Sequence, residues 1–265
     1  MEARLAVVQQ TEYSSRTIKT STAYIMKKIP GLVLVVSCFS FILNAQYSPN
    51  ANVTLSAGEK SIIAVASLTA KGNLSDLKSE LNAGLEAGLT INQIKEVMVH
   101  LYAYCGFPRS IRGLQTFMEV LDERKANGIV DKMGVASSPI KMKQPKYERG
   151  KKVLGELTKA PQDVALTGYA AFAPVIDTFL KEHLFADIFE RDVLTYGQRE
   201  LVTISVLTAL GGVEPMLRSH LSICLNTGLT PGQLTEFAGI VKSTAGKKEA
   251  KTVRIILDDL LNNNK

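Results

Sequence analysis

The sequence predicts an all-α fold made of two tandem repeats of one helical unit. Residues 77–90, LKSELNAGLEAGLT, and 217–230, LRSHLSICLNTGLT, share seven of fourteen residues at a constant offset of 140, which indicates an internal duplication. Apolar residues recur at spacings of three and four, without the sustained alternation that strands show. Together the two observations favour an all-α architecture in which one helical unit occurs twice.

Residues 1–45 are predicted to be a signal peptide with an upstream extension. From Met26 the chain reads MKKIPGLVLVVSCFSFILNAQ, with two lysines, an apolar run to Leu43 and a small residue, Ala45, suited to cleavage. We therefore expect export, to the periplasm. A lipoprotein anchored through Cys38 is the alternative, but the apolar FSFIL that follows Cys38 argues against it.

Charge and cysteine content limit the classes of partner. The whole chain carries a formal net charge of +6, and without residues 1–45 it has 26 Lys/Arg against 23 Asp/Glu, a net charge of +3. Nucleic acid is therefore a poor candidate for a partner. Beyond residue 45 only Cys105 and Cys224 remain, with no CxxC and no His-Glu-x-x-His spacing, so neither a disulfide framework nor a metal site is predicted. A small-molecule substrate is expected, with no cofactor.

The sequence predicts the helices of the first repeat, a linker and a helical arm in that order. In the first repeat, at 50–125, the apolar spacing predicts helices over 60–70, 77–87, 91–104 and 111–121. Thr90 and Thr230 lie where N-caps belong, and Pro231 suits a first helical position. Residues 126–146 form a predicted linker rich in Gly, Pro, Ser and Lys. Residues 147–265 then hold a helical arm, at 147–192, packed on the second repeat.

Glu200 and His220 are the first candidates for a functional site. Glu200 enters the otherwise apolar GQRELVTISVLTAL, where a buried carboxylate is costly unless it is used. The alternative places Glu200 in a first helical turn that is still in water. His220 lies one helical turn before Cys224 and could transfer a proton, or it is an ordinary half-buried histidine.

HLYAYCGFP, at 100–108, gives the next candidates. His100 and Tyr104 are helical neighbours at i and i+4 and can reach one cavity, with Tyr102 and Cys105 beside them. The alternative is a packed helix end whose tyrosine hydroxyls are wet. His183 is interpreted as a surface histidine without a role.

These motifs resemble the carboxymuconolactone decarboxylase family over residues 53–263. YERGKKVLGEL, FERDVLTYGQRELVTISVLTALGG and LRSHLSICLNTGLTPGQLTEF are similar to a whole subunit of that family, and the first repeat resembles its domain. The resemblance implies an alkylhydroperoxidase D-like fold, with the two repeats packed as a pseudo-dimer and the chain assembled into a homo-oligomer. By the same resemblance, the family's glutamate and two histidines fall on Glu200, His220 and His100.

The resemblance distributes these residues unevenly between the repeats. The first repeat has Ser61 and Glu80 where the second has Glu200 and His220, and the second has Ile240 where the first has His100. In one interpretation the repeats share one composite pocket, which Tyr104, Tyr102, Cys224, Glu80 and Cys105 would line. In the other, both pockets have decayed and the chain binds or scaffolds. The complementary losses favour the composite pocket.

The function implied is cofactor-free decarboxylation, or proton transfer, on a small carboxylated lactone or related acid. His220 would be the general acid, Glu200 would orient it, and His100 or Tyr104 would stabilise oxyanion charge. One alternative is an alkylhydroperoxidase-like peroxidase, although Val213 and Met216 replace the CxxC of such relatives and only Cys224 offers a thiol near His220. The other is a non-catalytic exported binding protein.

Overall fold

The computed structural model describes residues 54–141 and 143–263, and within them every regular element is helical. The predicted all-α fold is confirmed for this part of the chain. The predicted signal peptide, its cleavage near Ala45 and the lipoprotein alternative at Cys38 lie outside the described residues. None of the described helices has the length and the apolar character needed to cross a bilayer.

Ten α-helices and one π-helix make up the described part of the chain. They are α1 Ala57–Lys71, α2 Leu74–Glu86, α3 Ile91–Ala126, α4 Lys146–Thr158, α5 Gly168–Phe172, α6 Pro174–Phe179, the π-helix Leu180–Ile188, α7 Tyr196–Leu210, α8 Glu214–Asn226, α9 Pro231–Thr244 and α10 Lys247–Asn263. Helices α1 to α3 belong to the first repeat, and α7 to α10 belong to the second.

Capping boxes begin equivalent helices in both repeats, so the duplication extends to local hydrogen bonding. In each box the side chain of the N-cap residue accepts from the backbone of the third helical residue, whose own side chain accepts from the N-cap backbone. The predicted N-caps Thr90 and Thr230 are confirmed, and α9 begins at Pro231. The boxes pair Ser56 with Glu59, Thr195 with Gln198, Thr90 with Gln93 and Thr230 with Gln233.

The GFP sequence breaks α3 without ending it. Gly106 has φ 79° and ψ 162°, a conformation that glycine adopts because it lacks Cβ, and the chain resumes helical geometry beyond it. Pro108 falls in the first turn of the resumed helix, where its missing N–H costs nothing. The helices predicted over 91–104 and 111–121 are therefore two parts of one element interrupted at Gly106.

The core joins the two repeats through their first helices. Helix α1 packs against α7, while α3 packs on α7 and α9 packs on α1, so the third helix of each repeat lies on the first helix of the other. In α7 every residue from Arg199 to Ala209 is buried, as expected for a helix that is surrounded on all sides. This reciprocal packing confirms the pseudo-dimer, and it places residues of α3 beside residues of α7.

The arm packs mainly on itself and on α8. Helix α4 lies against the π-helix at a very close approach, because a Cβ placed on Gly150 would fall 1.8 Å from the backbone oxygen of Lys181. Phe185 and Phe189 pack with Val153 and with Ile223 of α8 in a second, smaller core. A π-helix is rare and is frequently found at functional sites; here it leads to Phe189, which contacts His100.

We predict that Gly150→Ala lowers the free energy of unfolding by roughly 1 to 3 kcal/mol, because the added methyl must push two backbones apart. Gly239→Ala is the control, since a Cβ there meets nothing within 4 Å and alanine favours a helix by up to about 1 kcal/mol. Urea unfolding of both variants measures the difference. Equal effects at the two positions would contradict the close packing of α4 on the π-helix.

Candidate functional site

A line of polar side chains runs between α3 and α7 inside the core. Glu96, His100 and Tyr104 are spaced at i, i+4 and i+8 and so share one face of α3, while Arg199 and Thr203 share one face of α7. We call these five residues the polar ladder. It joins the first repeat to the second inside their shared core.

The rungs of the polar ladder are hydrogen bonds that connect each member to the next. Arg199 Nη2 donates to Glu96 Oε1 at 2.8 Å, and Arg199 Nη1 lies 3.3 Å from His100 Nδ1. His100 Nε2 lies 2.9 Å from Thr203 Oγ1, which in turn lies 3.1 Å from the phenol oxygen of Tyr104. The contacts lead from a buried ion pair to a phenol that is partly exposed.

His100 is enclosed on every side and has no exposed surface. Burial, together with the charge of Arg199, holds the pKa of the imidazole well below its usual value, so the ring is neutral. Phe189 closes one side with an edge contact at a centroid distance of 5.0 Å. Because both ring nitrogens already have partners, His100 can act on a ligand only through its neighbours.

Two arginines hold Glu96 at the inner end of the polar ladder. Besides Arg199, Arg191 donates to both carboxylate oxygens at 2.8 to 3.1 Å. Burial alone would raise the pKa of Glu96, but the two guanidinium groups outweigh it and the pKa is lowered. The carboxylate is therefore charged, as it must be to compensate the fully buried Arg199.

Glu200 and His220 form a dyad at the outer end of the polar ladder. Glu200 Oε2 lies 2.8 Å from His220 Nδ1, and the Glu200 side chain is fully buried while 14% of the His220 side chain is exposed. Within the described part of the chain, Glu200 Oε1 is buried without a hydrogen-bond partner. The carboxylate fixes the proton of the imidazole on Nδ1, which leaves Nε2 for a ligand.

Tyr104 connects the polar ladder to the dyad. Its ring meets the His220 ring edge-on, with centroids 6.0 Å apart, and the His100 ring with centroids 5.5 Å apart. Burial of the hydroxyl and the nearby charge of Glu200 raise the pKa of Tyr104, so the phenol keeps its proton. The first repeat thus supplies a phenol, and the second supplies a carboxylate and an imidazole, at one place.

The remaining candidate residues from the sequence lie at different positions. Cys224 is fully buried one turn after His220, and Cys105, half-buried, donates to the carbonyl of Leu101. Tyr102 stacks on Phe107 with centroids 4.6 Å apart. Glu80 lies at the position equivalent to His220, and burial raises its pKa. Of these side chains, only Cys224 lies beside the charge of Glu200.

Several residues of the site were missed by the sequence analysis, namely Glu96, Arg191, Arg199 and Thr203. Glu96 lies four residues before His100, and His100 lies four residues before Tyr104. This spacing would have placed all three on one helix face. Arg199 and Thr203 show the same spacing on α7.

Two surface cavities lie away from the dyad. The surface cavities of 440 Å³ and 610 Å³ share Tyr196 and Glu156, and neither is lined by His220, Glu200 or Tyr104. A ligand would reach the dyad where His220 and Tyr104 are partly exposed. Over residues 54–141 and 143–263, no group of three or more His, Cys, Asp or Glu side chains is arranged to hold a metal ion.

Comparison with known proteins shows a family and a relative that the chain resembles. A sequence model described as the carboxymuconolactone decarboxylase family matches residues 42–117 and 174–259, together more than half of the chain. A 4-carboxymuconolactone decarboxylase of Acinetobacter baylyi is 31% identical over 118 residues, which is 42% of this chain and 87% of that relative. The polar ladder and the dyad lie wholly within the two stretches matched by the family model.

We predict that Glu96→Gln lowers the free energy of unfolding at pH 7 by about 3 to 5 kcal/mol, because Arg199 stays buried without a compensating charge. Since the pKa of Glu96 is lowered below 4.5 in the folded protein, its contribution is present above that value and is lost as the pH falls through the folded pKa. The difference between wild type and variant should therefore shrink in acid.

Glu119→Gln is the matched control, because Glu119 is exposed on the same helix and should change stability by no more than about 0.5 kcal/mol. Urea unfolding at pH 7 and at acid pH measures both variants. A Glu96→Gln protein as stable as the control at pH 7 would show that the Arg199 charge is compensated elsewhere.

Proposed function

Because the chain belongs to the carboxymuconolactone decarboxylase family, we propose that it decarboxylates a small carboxylated lactone, or a related acid, without a cofactor. The observation that carries the proposal is the Glu200–His220 dyad with the Tyr104 phenol against it. A carboxylate, an imidazole and a phenol are the groups that proton transfer and oxyanion stabilisation require. The class of substrate, a carboxylated lactone or a related acid, is part of the proposal.

The chemistry needs one proton and no redox change. The bond between the substrate carboxylate and the adjacent carbon breaks, CO₂ leaves, and its bonding electrons remain on the substrate as an enolate. His220, protonated, delivers the proton from Nε2 to the enolate carbon and becomes neutral. Solvent then returns the proton to the ring, which is reached through its exposed part. Glu200 orients the ring and stabilises the imidazolium while it exists.

Tyr104 is the group we assign to the enolate oxygen. Its phenol keeps its proton under the influence of burial and of Glu200, so it can donate a hydrogen bond to developing negative charge. The sequence left this role open between His100 and Tyr104. The complete burial of His100 favours Tyr104, and His100 becomes a positioning residue in the proposal.

The cysteines argue against a thiol peroxidase. A peroxidatic cysteine must form a thiolate in contact with peroxide, yet Cys224 has no exposed surface, and burial and the charge of Glu200 raise its pKa well above the usual value. Burial also raises the pKa of Cys105, to about 11. The two thiols are unpaired, and neither is activated by its surroundings.

Two further features of the protein stay proposals. Export through residues 26–45 rests on the layout of that segment, and N-terminal sequencing of the secreted chain would test it. Assembly into a homo-oligomer rests on the family resemblance, and sedimentation of the purified chain would test that. A non-catalytic binding role would be the outcome if the chain bound carboxylated lactones without consuming them.

We predict that the full-length chain releases CO₂ from 4-carboxymuconolactone or from a related carboxylated lactone, and that His220→Gln lowers kcat by roughly 10² to 10⁴-fold because the general acid is lost. Substrate absorbance and CO₂ release measure turnover. His183→Gln is the control, since His183 is exposed and contacts Tyr102 and Asp187 instead of the dyad. Turnover that survives His220→Gln unchanged would exclude the proposed acid.

We predict that Cys105→Ser combined with Cys224→Ser leaves any decarboxylation within about threefold of wild type, because neither thiol transfers a proton in the proposed step. The same double variant and the wild type should consume hydrogen peroxide at equal, background rates. Peroxide consumption by the wild type that disappears in the double variant would instead support the peroxidase. Thermal unfolding of the variant checks that the buried Cys224 position still packs.

A further inference from the structure

The direction of the hydrogen bonds in the polar ladder is set at Arg199. A guanidinium has donors and no acceptor, so His100 Nδ1 must accept from Arg199 Nη1, 3.3 Å away. The single proton of the neutral ring then lies on Nε2, which donates to Thr203 Oγ1 at 2.9 Å. Thr203 therefore already uses one lone pair as an acceptor.

The hydroxyl proton of Thr203 has two acceptors within reach. The backbone oxygen of Arg199 lies 3.0 Å from Thr203 Oγ1, and the phenol oxygen of Tyr104 lies 3.1 Å from it. If the proton points to the Arg199 carbonyl, Tyr104 donates inward to Thr203. If the proton points to Tyr104, the phenol proton must turn away from Thr203 and is free to donate outward.

We infer that Thr203 is a positioning residue. The rotation of its hydroxyl decides whether the Tyr104 phenol donates inward to Thr203 or outward to a bound oxyanion. The inference rests on the proposed function. With no ligand, the inward arrangement gives an acceptor to the hydroxyl proton of Thr203 and to that of Tyr104. An anionic oxygen beside Tyr104 selects the outward arrangement, in which Arg199, His100, Thr203 and Tyr104 each donate to the next acceptor along the line.

The outward arrangement favours an enolate over the lactone from which it forms. Hydrogen bonds in a chain polarise one another, and they gain most when the terminal acceptor is charged. The run of donors begins at Arg199, a fully buried guanidinium paired with Glu96, so donation toward the ligand is supported from inside the protein. The ligand class that fits is a small molecule that develops an anionic oxygen next to the carbon facing His220.

The test compares Thr203→Val, which removes the hydroxyl, with Thr203→Ser, which keeps it, in the full-length chain. Thr203→Val should lower kcat for 4-carboxymuconolactone by about 10 to 100-fold with KM within about twofold, because the hydroxyl acts on the transition state. Thr203→Ser should keep kcat within about threefold. Thr203→Ala, which lacks both γ substituents, should lower kcat as Thr203→Val does.

Thr208→Val is the matched control. Thr208 is buried on the same helix and donates to the carbonyl four residues earlier, as Thr203 can, but it has no contact with the polar ladder. It should leave kcat unchanged. An equal loss in Thr208→Val, a rise of KM in place of a fall of kcat, or failure of Thr203→Ser to retain activity would overturn the inference.

A second readout does not need turnover, so it separates this inference from the proposed function. In the chain labelled with ¹⁵N-histidine and Cζ-¹³C-tyrosine, His100 should appear as the neutral Nε2–H tautomer, and Thr203→Val should shift the Tyr104 signal while Thr208→Val does not. A charged or Nδ1–H His100, or an unshifted Tyr104, would overturn it. If the wild type turns over no lactone yet passes this test, only the proposed function fails.

Discussion

The buried charge of Arg199 is the constraint on which the rest of the site depends. A guanidinium with no exposed surface is stable only if an opposite charge and hydrogen-bond acceptors surround it. Glu96 supplies that charge from α3 of the first repeat. The ion pair therefore fixes how α3 lies on α7, and with it the positions of His100 and Tyr104 relative to the dyad. It also fixes the tautomer of His100, because Arg199 offers only donors.

The internal pseudo-symmetry shows why, in the part of the chain that the structure describes, the polar ladder has no counterpart at the equivalent positions. Lys60 and Glu236 are the equivalents of Arg199 and Glu96, and they form a salt bridge of 2.6 Å whose side chains are 44% and 29% exposed. An exposed pair of this kind contributes little. Ala64 and Ile240 stand where Thr203 and His100 stand in the other half, so no hydroxyl or imidazole continues from the ion pair. The equivalent ion pair is present there without the rest of a polar ladder.

The helices and the duplication could be predicted from the sequence, because they depend on local periodicity and on caps such as Thr90 and Thr230. The approach of Tyr104 to His220 was accessible only as a hypothesis, from the complementary losses in the two repeats. The packing of α3 on α7 joins residues about 100 positions apart, and no local sequence pattern encodes such a contact. For the same reason the complete burial of His100, on which its proposed positioning role rests, could not be read from HLYAYCGFP.

A double-mutant cycle between the repeats tests the composite site most directly. Tyr104→Phe and His220→Gln, singly and together, would be assayed for kcat/KM on 4-carboxymuconolactone in the full-length chain. If the phenol of the first repeat and the imidazole of the second act on one ligand, the two losses are not additive, with a coupling free energy of roughly 0.5 to 3 kcal/mol. Losses that add within about 0.3 kcal/mol would contradict the shared site.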